Sequence, residues 1–138
     1  MPDVVTITPK NAPAPLGPYS HIAKVGTFMI IGGVAGIDPR TGELAGRDVE
    51  AQVRQLLENM STLLAAADSD LEHVVHVNVL LLHMSDFEEM NRVYAECFGS
   101  HRPARTVIGV RELPKPGVLL TMSLTAVTRE PASLSYPS

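Results

Sequence analysis

The sequence predicts an α+β fold of order β-β-α-β-α-β-β, with two helices packed on one face of a mixed sheet. Three observations carry this. Two segments place their apolar residues on a single helical stripe. Each of those segments lies between runs of strand-forming residues, the pattern of a crossover between parallel strands. The last run alternates apolar and hydroxylic residues, so that one face of its sheet is apolar and the other is not.

The elements follow in order. Residues 9–18, "PKNAPAPLGP", are proline-rich and predict an extended or turning segment. "YSHIAKVGTFMII" (19–31) reads as two short strands joined at Val25-Gly26-Thr27. "GGVAGIDPRTGELAG" (32–46), with five glycines and one proline in fifteen residues, predicts a loop with turns at Asp38-Pro39 and Thr41-Gly42. The first helix is carried by Val49, Val53, Leu56, Leu57, Met60, Leu63, Leu64 and Ala67, with Asp48 as its N-cap, Glu50 complementing the helix dipole, and an end near Asp68-Ser69-Asp70.

"HVVHVNVLLLHM" (73–84) predicts a central strand buried on both faces, with Val75, Val77, Val79 and Leu81 on one side. Ser85 and Glu88 have the spacing of a capping box opening a second helix, whose stripe is Phe87, Met90, Tyr94, Cys97 and Phe98 and whose stop is Gly99. Residues 105–110 form the next strand, and Leu113-Pro114-Lys115-Pro116-Gly117 breaks it. In "VLLTMSLTAV" (118–127), Val118, Leu120, Met122, Leu124 and Ala126 make the apolar face, and residues 128–138 are a polar, fraying tail. One domain is expected over residues 1–138, with its core at about 12–127. A sheet with one uncovered face predicts a homo-oligomer with sites between subunits.

Composition narrows the function classes. A net charge of -4, from eleven cations against fifteen acids, argues against nucleic acid, and so do the low aromatic content and the absence of tryptophan. A single cysteine, Cys97, excludes an internal disulfide and suits a reducing cytoplasm; on a helix stripe it reads as a core residue. No basic segment leads into an apolar one at the N-terminus, and apolar runs such as Val79-Leu80-Leu81-Leu82 are too short to cross a bilayer, so no membrane association is expected. The five histidines have no ligand spacing among themselves or with Cys97, and neither a metal nor a cofactor is expected. "GGVAG" does not open a helix and so fails as a phosphate loop.

Arg105, in "HRPARTVIGVRELPKPG" (101–117), enters an apolar strand with no acid near it in sequence before Glu112. Such a guanidinium is solvated, paired with a distant acid such as Glu112 or Glu96, or kept for a ligand. "APLGPYSHIAKVGTFMIIGGVAGIDPRTGEL", "QVRQLLENMSTLLAAA", "VNVLLLHMSDFEEMNRVYAECF" and "RPARTVIGVRELPKPG" together resemble the Rid (YjgF-type) family over residues 12–127. The resemblance implies a chorismate-mutase-like α+β fold and a homotrimer with three interfacial clefts. It further implies hydrolysis of reactive imines and enamines, such as 2-iminopropanoate, to 2-keto acids and ammonia.

By the same resemblance Arg105 takes the substrate carboxylate. A guanidinium's parallel donors match a carboxylate's two oxygens, each charge-assisted bond contributing about 1.5–3 kcal/mol. Tyr19 lines the cleft, Asn91 lies near the pocket, Val107 offers main-chain groups, and Gly33 sits in a turn that admits a ligand close to the backbone. The sequence departs from the family pattern where a glutamate usually aims a water at the imine carbon, because Thr121 stands there and Ser123 occupies the next same-face position. A hydroxyl can hold water but cannot act as a general base near neutral pH. The usual Ser-Gly-Gln after the second strand is Gly32-Gly33-Val34, which makes the pocket less polar. Three functions fit: imine/enamine deamination, small-carboxylate binding or regulation without turnover, and a specialised biosynthetic role on a larger imine or keto acid.

Overall fold

The strand runs and helical stripes assemble into a six-stranded mixed sheet with both helices on one face. The computed structural model describes residues 3–129. The strands are β1 (Val5–Ile7), β2 (Ile22–Val25), β3 (Phe28–Val34), β4 (Val74–Leu81), β5 (Ala104–Gly109) and β6 (Leu120–Val127); the helices are α1 (Val49–Ala66) and α2 (Phe87–Phe98). The sheet order is β1-β2-β3-β6-β4-β5, with β4 and β5 parallel and every other neighbouring pair antiparallel. Because β3 and β4 each run antiparallel to β6, they are parallel to one another. Both helices are therefore crossovers between parallel strands, as the two helical stripes required.

All eight apolar positions of the α1 stripe are buried, and so are Val118, Leu120, Met122, Leu124 and Ala126 of the last strand's apolar face. Asp48 caps α1, its Oδ1 accepting the Ala51 N–H at 2.7 Å. That bond satisfies one of the amides a helix start leaves open. On the solvent side of the helix pair, Arg54 and Arg92 bridge Glu50 of α1 and Glu96 of α2. The two guanidiniums hold both carboxylates below the usual glutamate range.

Four features differ from the sequence reading. β1 is an additional edge strand; at three residues it is too short to display alternation. β3 continues through Gly32-Gly33-Val34, where a loop was expected, and its pairing with β6 is bulged between Ile31 and Val34. β4 is not buried on both faces: Val77, Val79 and Leu81 are buried, whereas His76, Asn78 and Leu80 are only partly covered. A register shift between Val74 and His76 reverses the alternation, so Val74 is buried and Val75, expected inward, is 50% exposed. The fourth difference is the start of α2. Met84–Asp86 is a 3-10 turn, Met84 O accepts the Phe87 N–H, and neither Ser85 nor Glu88 forms the expected capping box. The turn's own carbonyl does that work.

Two buried amides on α1 position the loops that flank the site. Asn59 Nδ2 donates to the carbonyls of Ala35 (3.2 Å) and Ile37 (2.8 Å). Gln52 Nε2 donates to those of Gly46 and Gly117, each at 3.0 Å, and its Oε1 accepts the Leu119 N–H at 2.8 Å. At Gly36 an added Cβ would lie 2.3 Å from the Gln52 carbonyl oxygen, so only glycine lets this loop meet the helix backbone. Thr128 and Arg129, the first residues of the expected tail, donate their N–H groups to Thr27 O and Asp68 O. Residues 130–138, the rest of that tail, lie outside the described residues.

Candidate active site

The residues singled out from the sequence fall into two groups at different places in the fold. The first lies where α2 covers β5. Residues paired across a parallel ladder share a face, so Arg105, opposite Val77, and Val107, opposite Val79, lie on the helix side. Arg105 is half-buried there, its guanidinium carbon 4.8 Å from the Tyr94 ring centroid and 5.9 Å from that of Phe87. Among the described residues, no acid lies within 4.0 Å of its guanidinium, and the guanidinium donates no hydrogen bond. Glu96, one acid that could have claimed it, is held by Arg54 and Arg92 instead. Asn91 lies on the same stripe of α2, between Phe87 and Tyr94, with its Oδ1 buried and without a partner among the described residues.

Tyr94 and Phe87 are the residues the sequence reading missed here. Both were assigned to the helix core, and Tyr94 is indeed 95% removed from solvent, given its 5% exposure. The available signal was spacing: Phe87, Asn91 and Tyr94 stand at i, i+4 and i+7 on one helical face. Burial pushes the Tyr94 phenol up from its ordinary value, and the charges of Arg105 and Arg102 pull it the other way. Cys97 is half-buried at the edge of the core rather than inside it, and burial raises its thiol pKa, so it has no thiolate character to offer.

The second group lines a cavity of about 470 Å³ on the β3–β6 side, where Tyr19, Gly33 and Thr121 all contribute wall. Its other walls are chiefly apolar, with Ser20, His21 and Lys115 adding polar groups. The Tyr19 hydroxyl accepts the Leu16 N–H at 3.1 Å, which folds the proline-rich segment over the cavity. His21 reinforces this: its Nε2 faces the Pro13 carbonyl, so that nitrogen carries the proton, and its Nδ1 is buried without a partner among the described residues. Gly33 stands in the bulged part of β3 rather than in a turn, and an added Cβ would meet nothing within 4 Å. Within one protomer, nothing requires glycine at that position.

Thr121 pairs with Leu80, which pairs with Ile108, and these three share the sheet face away from the helices. Arg105 is three residues back from Ile108 on the opposite face. Its Cα is therefore about 10 Å along the strands and about 10 Å across them from that of Thr121. One protomer does not bring Arg105 and Thr121 together. Among the described residues, no group of three histidine, cysteine or acidic side chains could hold a metal ion, and no helix is long and apolar enough to cross a membrane.

A family model described as Endoribonuclease L-PSP, the family of YjgF and RidA proteins, matches residues 9–128. The chain belongs to this family. Among its Rid-family relatives is a RutC family protein of Pyrococcus horikoshii, 49% identical over 106 residues that cover 77% of this chain and 84% of that protein. The human 2-iminobutanoate/2-iminopropanoate deaminase is 38% identical over 109 residues, covering 79% of this chain and 80% of that one. The crystal structure of the E. coli YjgF gene product has a TM-score of 0.84 and 35% identity, covering 91% of this chain and 99% of that one. Membership and the named deaminase relative support an imine-deaminase function for this Rid protein.

Proposed function

We propose that this protein hydrolyses reactive 2-imino acids, and the enamines that tautomerise to them, to 2-keto acids and ammonia, at sites between the protomers of a homotrimer. The observation that carries this is Arg105, half-buried on aromatic rings with no acid of its own chain beside it among the described residues. A cation withdrawn from water without a counter-ion is poised for an anionic ligand, and its planar fork fits a carboxylate. The named deaminase relative supports an imino acid as that ligand.

Assembly follows from the two separated groups. A second copy can bring its Tyr19, Gly33 and Thr121 to the first copy's Arg105, Val107 and Asn91, which one protomer cannot do for itself. The surface for it is available: Phe28, Ile30, Val75 and Ile108 are each about half exposed. Groups of that kind favour contact with another chain. The lone, half-buried Cys97 suits a reducing cytoplasm.

In the reaction, Arg105 grips the carboxylate and fixes the imine carbon near Thr121, whose hydroxyl holds a water. The water's oxygen bonds to the carbon of the protonated imine and loses a proton to solvent, giving a carbinolamine. The nitrogen takes up a proton and departs as ammonia while the remaining hydroxyl releases its proton to solvent and closes to the ketone. Positioning supplies the rate, since a threonine hydroxyl cannot remove the water's proton near neutral pH.

That same hydroxyl favours a second reading, in which the protein binds small carboxylates without turnover, for regulation. The apolar walls of the cavity also leave room for a larger imine or keto acid in a biosynthetic role. Coupling the protein to a pyridoxal-phosphate dehydratase acting on serine or threonine tests the proposal: keto-acid release should accelerate. No acceleration over the spontaneous rate by the folded protein would sink it. Binding of 2-ketobutyrate that is lost in Arg105→Ala, without acceleration, would establish the binding module instead.

A further inference from the structure

Of the eight arginines in the chain, Arg105 alone among the described residues is not exposed. The others meet their needs in familiar ways. Arg40 is tied to Asp38, Arg54 and Arg92 to glutamates, and Arg102 donates to the carbonyls of Gly99 and His101. Arg47, Arg111 and Arg129 lie in water. Arg105 has no acid beside it among the described residues, and two rings flank its half-buried guanidinium.

We propose that Phe87 and Tyr94 are positioning residues, an aromatic seat that holds the Arg105 guanidinium for a ligand carboxylate. This rests on the reading of Arg105 given above and deepens it. A carboxylate partner would hold the cation equally well, but it would neutralise the charge and occupy the N–H donors. A ring attracts the cation through its quadrupole and does neither. The seat therefore restrains the long side chain while leaving charge and donors to the ligand, which lowers the ordering cost of binding.

The seat is itself held firmly. Phe87 and Tyr94 are two turns apart on α2, and the Phe98 ring backs the Tyr94 ring at 4.5 Å between centroids. Phe98 is in turn 6.4 Å from the His101 ring, and His101 Nε2 bonds to the Val74 carbonyl at the start of β4. A stack of aromatic side chains thus runs from the core sheet to the cation. Simple packing would account for apolar rings against the sheet; it does not account for a half-buried arginine lying against them with every donor unspent.

Calorimetry with 2-ketobutyrate, beside its neutral amide as control, tests the inference on the intact protein. Tyr94→Leu should weaken 2-ketobutyrate binding about five- to tenfold and leave the amide unchanged. Tyr94→Phe, which returns the ring without the hydroxyl, should recover most of that affinity. Phe87→Leu, at a half-buried position and at the edge of cation–π range, should weaken it about two- to threefold. In imine hydrolysis the loss should fall on KM, with kcat held within about twofold. Because Tyr94→Leu removes a buried side chain, Phe87→Leu decides the matter if that variant does not fold.

Ring variants that bind 2-ketobutyrate like the wild type, while Arg105→Ala does not, would overturn the seat and leave the assignment of Arg105 standing. Equal losses for acid and amide would overturn it as well, reducing the rings to packing. A wild type that neither binds the keto acid nor hydrolyses an imine would remove the assignment of Arg105, and the seat with it.

Discussion

Gln52 is fully buried, and its amide joins α1 to three backbone groups: the carbonyls of Gly46 and Gly117 and the Leu119 N–H. Replacing it with leucine keeps the side-chain size and deletes all three bonds. The two carbonyls are near the surface and can turn to water, so each bond lost costs about 1 kcal/mol. The Leu119 N–H belongs to a half-buried residue and keeps part of its desolvation penalty, about 1–3 kcal/mol. Burying the leucine offsets about 1–2 kcal/mol. The net expectation is a destabilisation of about 1–4 kcal/mol. Urea unfolding should be followed at one fixed protomer concentration, since self-association makes the midpoint concentration-dependent. A loss below about 1 kcal/mol, or a gain, would refute the claim that this amide pins the Gly117–Leu119 segment.

Three further outcomes are expected. Arg105→Lys keeps the charge but loses the planar fork, so the Kd for 2-ketobutyrate should rise at least about tenfold; equal affinities would contradict carboxylate recognition by Arg105. Thr121→Glu puts a carboxylate where the hydroxyl holds water, and hydrolysis of 2-iminopropanoate should rise about tenfold or more near neutral pH, declining as the pH falls towards the glutamate pKa. An unchanged rate would show that the water is not held there. The Tyr94 phenol is raised by burial, so its contribution to stability is complete below the ordinary phenol value and lost as the pH rises through the folded value. The urea midpoint should fall on the alkaline side of about pH 10, and Tyr94→Phe should flatten that fall; parallel curves for both proteins would contradict it.

Much of the fold was legible because burial on one side leaves a period in the chain. The eight α1 positions from Val49 to Ala67 and the alternation from Val118 to Ala126 translate directly into buried faces. Periodicity misleads where a local irregularity resets it. The register shift at Val74–His76 turned Val75 outward, and the bulge between Ile31 and Val34 let strand continue through two glycines. At Ser85 and Glu88 a 3-10 turn makes the capping box unnecessary. Gln52 and Asn59 were invisible because no apolar pattern announces a buried amide whose partners lie in distant loops.

The candidate site divides in the same way. Side-chain chemistry in the chain itself raises Arg105, and the resemblance to the Rid family adds Asn91, Tyr19, Gly33 and Thr121. Which of them meet is a matter of sheet register and face. β4 and β5 being parallel puts Arg105 opposite Val77 and under α2, while Thr121 points away from the helices. The sequence alone determined the elements and the chemistry available; the tertiary structure decided that the guanidinium rests on Phe87 and Tyr94, with no acid beside it among the described residues. The physical reason is range: periodicity acts over a few residues, whereas a cation's neighbours are chosen by strands and helices brought together from across the chain.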